Sequence, residues 1–185
     1  MKFLDRVLRY WRVKVALNNC PKKMDNVFDI GCDDGYLLQR LSRITKRQDG
    51  VDPRLSVDSI SPDSEMKKGY FPADIEDYQM QGTYDAIFAL AVFEHFSEND
   101  IQQSASVISR MLSSEGRLII TVPHPFVDKI LDILLFLHLI EAETLEEHHG
   151  FDPNELLTYF FKTLRLVKRK RFQFRLNNIF IFENI

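Results

Sequence analysis

Apolar residues recur at helical spacing at the start of the chain. Phe3, Leu4, Val7, Leu8 and Trp11 fall on one stripe, which predicts an amphipathic helix ended by Pro21 and the polar stretch 22–26. A short apolar run, Val27 to Ile30, then closes on Gly31 and predicts a strand. Tyr36 to Ile44 returns to the helical period, and Gly50-Val51-Asp52-Pro53 reads as the end of a second strand. Residues 54–69 are polar and irregular, with a short strand or extended piece expected around Tyr70-Phe71. Tyr84 to Val92 is almost continuously apolar, as in a strand buried on both faces. Ser97 is placed to cap a helix with Asp100 as its reciprocal partner, and Ile101, Ala105, Ile108 and Leu112 mark the buried face. Gly116 stops that region, and Leu118 to Val122 predicts another strand closed by Pro123. Phe126 to Ile140 is apolar and helical in length, and Asp152-Pro153 opens a further helix. Two strand-like runs finish the chain, Leu164 to Leu176 and Ile179 to Phe182, joined by Asn177-Asn178 as a hairpin turn.

Strands and helices thus alternate for five strands before a closing hairpin. That order predicts an α/β domain with helices on both faces of a mainly parallel sheet and an antiparallel edge. Ligands of such sheets bind beyond the carboxyl ends of the strands. A chain of 185 residues has room for one full core, so residues 1–185 are expected to form a single domain, with 1–20 as an N-terminal helix.

Charge and cysteine content narrow the classes. The net charge of −3 gives no reason to expect nucleic acid as a partner. Cys20 and Cys32 have no metal-like spacing, which argues against a disulfide framework or a zinc site and fits a reducing compartment. The first helix interleaves Arg and Lys with apolar residues, unlike a signal peptide. The stretch Ile130 to Ile140 is short for a membrane span and contains Asp132 and His138, so no transmembrane segment is expected. A soluble, cytoplasmic monomer or homodimer is the expectation.

The first candidate for chemistry is VFDIGCDDGYL, residues 27–37, a strand running through a glycine turn into a helix. Gly31 and Gly35 permit a tight turn and close approach of a ligand to the backbone. A dinucleotide fingerprint would need glycines where Asp33 and Tyr36 stand, and the Lys and Ser or Thr of a phosphate loop are missing. The acids Asp33 and Asp34 suit a cationic ligand better than pyrophosphate. Asp52 follows Gly31 by 21 residues, a spacing at which an acid accepts from both ribose hydroxyls. A nucleoside with cationic groups and no phosphate chain fits both features, and S-adenosylmethionine (SAM) is such a ligand.

With these residues in view, the chain resembles the class I SAM-dependent methyltransferases. VFDIGCDDG is similar to their E/D-x-G-x-G-x-G motif at Asp29, Gly31 and Gly35, with Asp33 in place of the middle glycine. GVDP resembles the ribose strand and ADIED the adenine loop. YDAIFALAVFEHF resembles the fourth strand and its exit, and EGRLIITVPHP the fifth strand. HHGFDPNELLTYF and LNNIFIFEN resemble the late helix and closing hairpin. The resemblance implies a Rossmann-like, seven-stranded sheet whose segment 126–150 covers the substrate. It implies that Asp29 and the Gly31–Gly35 backbone, with Asp33, hold the methionine end of SAM, and that Asp52 binds ribose. Asp74 and the Ile75 backbone would meet adenine, Ala89 and Leu90 would line the cofactor, and Glu94 and His95 would stand at the mouth.

Methyl transfer is an in-line displacement that depends on alignment, and a hydroxyl acceptor also needs a general base. His95 is the first candidate, with His124, His148 and His149 behind it. The exit of the fourth strand reads ALAV, which argues against the N/D-P-P-Y/F motif of nucleic-acid amine methyltransferases. No cysteine follows that strand to attack cytosine. The leading expectation is a methyltransferase acting on a small-molecule acceptor, at oxygen first, with nitrogen or carbon as alternatives. Two other readings stand beside it. One is a non-catalytic protein of this fold, its SAM binding weakened by Asp33. The other is an RNA methyltransferase using the basic run Lys168 to Arg171, which reads equally as a charged edge strand. The apolar segment Phe126 to Ile140 could serve a lipid-like acceptor or a membrane surface, although burial against the sheet or in a dimer is preferred.

Overall fold

The computed structural model describes residues 3–75, 83–124 and 151–185. In chain order these form α1 (Phe3–Leu17), β1 (Asn26–Ile30), α2 (Tyr36–Leu41), β2 (Arg47–Val51), β3 (Ser59–Ser61) and β4 (Ser64–Lys67). Then come β5 (Tyr84–Leu90), α3 (Glu98–Met111), β6 (Leu112–Pro123), α4 (Pro153–Phe160), β7 (Leu164–Phe172) and β8 (Asn177–Asn184). The sheet order is β3-β4-β2-β1-β5-β6-β8-β7. The five central strands from β4 to β6 run parallel, while β3, β8 and β7 are antiparallel to their neighbours.

Both faces of the sheet are covered. On one, Val13 and Ala16 of α1 and Leu37, Leu38 and Leu41 of α2 pack on Val27, Phe88 and Ile119. On the other, Ile101, Ala105 and Ile108 of α3 and Leu156 and Phe160 of α4 pack on Ile87, Ile120 and Phe180. Burial on two faces explains why the central strands read as continuous apolar runs. Capping follows the expected chemistry. The Ser97 hydroxyl accepts from the Asp100 N–H and donates to its carboxylate, and Asp152 accepts from the Asn154 N–H ahead of Pro153.

Several boundaries differ from the sequence reading. The described sheet has eight strands rather than seven, because Ser59–Ser61 folds back on β4 through Pro62 and Asp63. That strand is exposed along its length, so no apolar pattern marked it. Neither Tyr70 nor Phe71 is in a strand, and a turn begins at Phe71. Gly116 sits within β6, where the pairing register with β5 shifts, and a Cβ there would come 2.8 Å from the Tyr84 carbonyl oxygen. The hairpin turn is residues 173–176, and Asn177 and Asn178 belong to β8. In α1 the docked residues are Val13 and Ala16, whereas Val7 is exposed. The segments 76–82 and 125–150, which include the expected covering helix, His138, His148 and His149, lie outside the described residues.

A buried polar cluster fixes the base of the sheet. The Asp49 carboxylate accepts from Arg47 Nε at 2.6 Å, Tyr84 Oη at 2.9 Å and the Glu65 N–H at 3.0 Å. It therefore joins β2, β4 and β5. Removing one member of such a cluster leaves the others desolvated and unpaired. Asp49→Ala is expected to cost about 3 kcal/mol in urea unfolding, by the cost of breaking a buried charged network. Asn at this position, which keeps an acceptor oxygen, should cost less.

Candidate active site

The carboxyl ends of β1, β2 and β5 open into a cavity of about 570 Å³, roofed on one side by α1. Its wall is formed by Asp29, Gly31, Cys32 and Asp33 after β1, Asp52 to Arg54 after β2, and Leu90 to Val92 with His95 and Phe96 after β5. Gly69, Tyr70 and Phe71 close the far side, and Arg9, Arg12 and Val13 come from α1.

The turn after β1 needs its glycines. Gly31 and Gly35 have φ of 74° and 73°, in the left-handed region. A Cβ on Gly31 would stand 2.5 Å from Val92 Cγ2, so the strand exits of β1 and β5 meet through that missing side chain. Asp33 also takes a left-handed φ, 48°, which Asp tolerates better than most residues. The turn thus survives without its middle glycine.

The turn spends its donors internally. Gly31 and Cys32 N–H groups both donate to the Val51 carbonyl, Gly35 N–H to the Cys32 carbonyl, and Asp33 N–H to Asp52 Oδ2 at 2.9 Å. A loop arranged this way does not offer those N–H groups to a phosphate, in agreement with the missing phosphate motifs. Asp52 is almost wholly buried. Its carboxylate also accepts from the Arg54 N–H at 2.7 Å and, at 3.3 and 3.4 Å, from the exposed Arg54 guanidinium. One acid therefore fixes the two turns to each other.

The acids of the turn are neutralised from α1 and from Arg54. Asp34 forms a forked pair with Arg9 and accepts from the Tyr36 N–H. The Arg9–Asp34 hydrogen bond raises the pKa of Arg9 and lowers that of Asp34. Arg9 also stacks 4.3 Å from the Tyr36 ring centre. Asp33 lies 3.8 Å from Arg9 and 3.7 Å from Arg54. Asp33 and Asp34, matched in the sequence to a cationic ligand, are thus paired within the protein by Arg9 and Arg54. Asp29 and Asp52 remain as the acids of the cavity floor.

Asp29 is buried, and burial, reinforced by the nearby Asp52, raises its pKa well above the carboxylate range. Arg12 is the counterpart on the roof. Its Nε is shut off from solvent with no hydrogen-bond partner, and burial lowers its pKa while Glu94 partly offsets that. Glu94 Oε2 is likewise enclosed and unpartnered, and burial pushes its carboxyl up to about 7.

Of the site residues expected from sequence, Asp29, Gly31, Asp33, Asp52, Leu90 and His95 line the cavity. Gly35 shapes the turn behind it. Asp74 accepts from the Tyr70 N–H at 2.7 Å, and the Ile75 N–H donates to the Pro72 carbonyl, so both hold a local turn and neither lines the cavity. Ala89 points into the sheet core, because alternate residues of β5 face opposite sides and Leu90 is the one turned to the cavity. Glu94 stands outside the lining, behind Arg12. His124 is at the end of β6 against the terminal hairpin, its N–H donating to the Leu176 carbonyl. Burial, and then Arg171, Arg169 and Arg175, hold its pKa below the usual histidine value. Sequence reading passed over Arg9, Arg12, Tyr36 and Arg54. The signal for the first two was their spacing with Val13 and Ala16, which puts Arg9, Arg12, Val13 and Ala16 on one helix face.

Among the described residues no group of His, Cys, Asp and Glu is arranged to hold a metal, and no helix is long and apolar enough to cross a membrane.

Comparison with known proteins points in one direction. The model of a methyltransferase-domain family matches residues 2–168. The mitochondrial ubiquinone biosynthesis O-methyltransferase of Dictyostelium discoideum is 24% identical over 182 residues, an alignment that takes in 86% of this chain and 56% of that one. The chain therefore spans little more than half the length of that relative. Among solved structures, the N-methyltransferase NodS of Bradyrhizobium japonicum in complex with S-adenosylhomocysteine superposes with a TM-score of 0.64 at 15% identity, over 99% of this chain and 88% of that one. A TehB-like SAM-dependent methyltransferase of Corynebacterium glutamicum gives 0.64 at 16% identity, over 94% and 88%.

Proposed function

Since the chain belongs to the SAM-dependent methyltransferase family, we propose that it transfers the methyl group to a small-molecule acceptor, at oxygen. The observation that carries the reading is the cavity itself: a glycine turn locked to a buried acid at the end of the next strand, with the Arg12 guanidinium, its Nε enclosed and unpartnered, opposite. The residues present fit SAM. The cavity volume lies within the ordinary range for small-ligand sites. Asp52 keeps its two short backbone donors while the longer, exposed contacts with Arg54 are exchangeable, which leaves acceptor capacity for two ribose hydroxyls. Asp29 supplies an acid for the ammonium. Arg12 supplies the cation for the carboxylate, a role the turn N–H groups cannot fill.

When bound, SAM supplies an electrophilic methyl carbon on a sulfonium. The protein's part is to hold donor and acceptor in line and to take the acceptor's proton. His95 is the proton acceptor in this reading, supported by its exposed position on the cavity lining at the exit of β5. Phe96 beside His95, with Tyr70 and Phe71 across the cavity, gives it an aromatic lining that suits a small organic acceptor. The O-methyltransferase relative supports oxygen as the methylated atom. The neutralisation of Asp33 by Arg9 and Arg54 argues against the non-catalytic reading, because the carboxylate that would repel the cofactor is compensated.

The test is incubation with methyl-labelled SAM and separate pools of phenolic and aliphatic hydroxyl compounds, small amines and RNA. Label in a hydroxyl compound, lost in His95→Ala, supports the reading. Label in RNA alone overturns it.

Asp29 adds a pH dependence of defined sign. A carboxyl with a raised pKa in the folded protein binds its proton more tightly folded than unfolded. Its ionisation therefore lowers stability as pH climbs from the ordinary carboxylate value towards the raised one. An ammonium beside Asp29 favours the ionised form, so SAM affinity is expected to rise with pH across that window, by up to about tenfold per unit for one proton. Titrations from acid to neutral pH check this, and Asp29→Asn should flatten the slope.

A further inference from the structure

Charge is distributed very unevenly along this chain. Residues 161–176 contain seven Lys and Arg and no Asp or Glu. The remainder holds 17 cations against 27 acids, a net charge of −10 beside +7. The basic segment is β7 and the turn after it, and β7 is the last strand of the sheet. Residues 167–171 form an unbroken exposed run. Their side chains leave both sides of the edge: Lys168 reaches Asn19 after α1, and Arg169 reaches Asn154 in α4. Among the described residues, no acidic side chain pairs with Lys168, Arg169, Lys170, Arg171 or Arg175.

The turn carries a second, independent feature. Gln173, Phe174 and Arg175 all have left-handed φ, 48°, 57° and 71°, in a position where glycine or asparagine would serve at less cost. The turn is held in this form. Gln173 is buried, donates to the Leu8 carbonyl at 2.7 Å and accepts from Asn177 at 2.6 Å. The outcome is a protruding Phe174, 85% exposed, touched at its edge by Trp11. Val167 and Phe161 add half-exposed apolar surface along the same strand and the helix end before it. The turn sits beside Pro123 and His124, at the carboxyl end of β6, which is the end of the sheet where the cavity opens.

We propose that the β7–β8 hairpin docks the protein on an anionic lipid bilayer, with Phe174 entering the headgroup region and the surrounding Lys and Arg held against acidic lipids. The shape favours a bilayer over nucleic acid. The cations line an exposed sheet edge that ends at a projecting aromatic ring, which suits a planar anionic surface, whereas a nucleic-acid strand is tracked by a basic groove. Docking this way turns the cavity end of the sheet towards the membrane. This inference is independent of the identity of the methyl acceptor.

Sedimentation of the full chain with sucrose-loaded vesicles tests it, comparing phosphatidylcholine alone with phosphatidylcholine containing phosphatidylglycerol, at physiological salt. Each cation near an anionic surface contributes roughly fivefold to partitioning, so K168Q/K170Q/R171Q is expected to lose on the order of a hundredfold. Phe174→Ser should lose roughly tenfold, from the aromatic surface no longer buried. SAM titration of the same variants monitors folding, since none of these residues lines the cavity. Binding restricted to the phosphatidylglycerol vesicles and lost in both variants supports the proposal. No binding by the wild type, binding unaffected by the triple substitution, or displacement from vesicles by single-stranded RNA overturns it.

Discussion

Asp52→Ala is expected to weaken SAM binding by on the order of a hundredfold or more, the largest loss at any single position. Hydrogen bonds to a charged acceptor contribute about 1.5–3 kcal/mol each, and two ribose hydroxyls would lose theirs together. The substitution also frees the Asp33 N–H, which this carboxylate holds at 2.9 Å, so the turn after β1 loses its tie to β2. Asp52→Asn separates the two effects. Its amide oxygen still accepts from one backbone N–H, so the turn should remain near its present form while ribose recognition falls. Isothermal titration with SAM, together with circular dichroism to confirm folding, reads both. Equal affinity of Asp52→Ala and wild type would remove this acid from the cofactor site.

Arg12→Ala carries the second large effect, and it is selective. SAM and S-adenosylhomocysteine both bear a carboxylate, whereas methylthioadenosine shares the nucleoside and lacks the amino acid. Loss of a charge-assisted contact at this partly buried position should weaken the first two by roughly ten- to a hundredfold. Methylthioadenosine should bind wild type and variant alike. Arg12→Lys keeps the charge but not the fork, and an intermediate loss is expected. A parallel loss for all three ligands would mean that Arg12 supports the fold of α1 and does not read the carboxylate. Glu94, whose carboxyl sits near 7 beside Arg12, should then show the same indiscriminate effect when changed to Gln.

These two residues also show what was legible in the sequence. Asp52 could be found because its role follows from local order: a strand, an acid at its carboxyl end and a fixed distance from Gly31. The central strands were legible because parallel strands covered on both faces need apolar residues throughout, as in Tyr84–Leu90. Arg12 was hidden because the period of α1 was read from its apolar residues alone. The face that docks is part apolar, at Val13 and Ala16, and part basic, since it roofs a cavity floored with acids. Arg54 was hidden for another reason. Its guanidinium meets Asp33 and Asp52 only after the β1 and β2 turns are brought side by side. The edge strand β3 carried no signal because both its faces are wet. Asp74 and Ile75 matched a family pattern, yet their polar groups close a turn on Tyr70 and Pro72, an arrangement that only coordinates reveal. The hairpin signal at Asn177-Asn178 was displaced by four residues. The turn uses Gln173 to Leu176, held by a side-chain bond from Gln173 to the Leu8 carbonyl of α1 that no turn propensity encodes.

The most direct test of the central claim is calorimetric titration of the folded wild-type chain with S-adenosylhomocysteine at neutral pH. One site with micromolar affinity, abolished in Asp52→Ala, is the predicted result and would fix the cavity between β1, β2 and α1 as the cofactor site. Absence of binding heat at several temperatures, from protein shown to be folded, would contradict it.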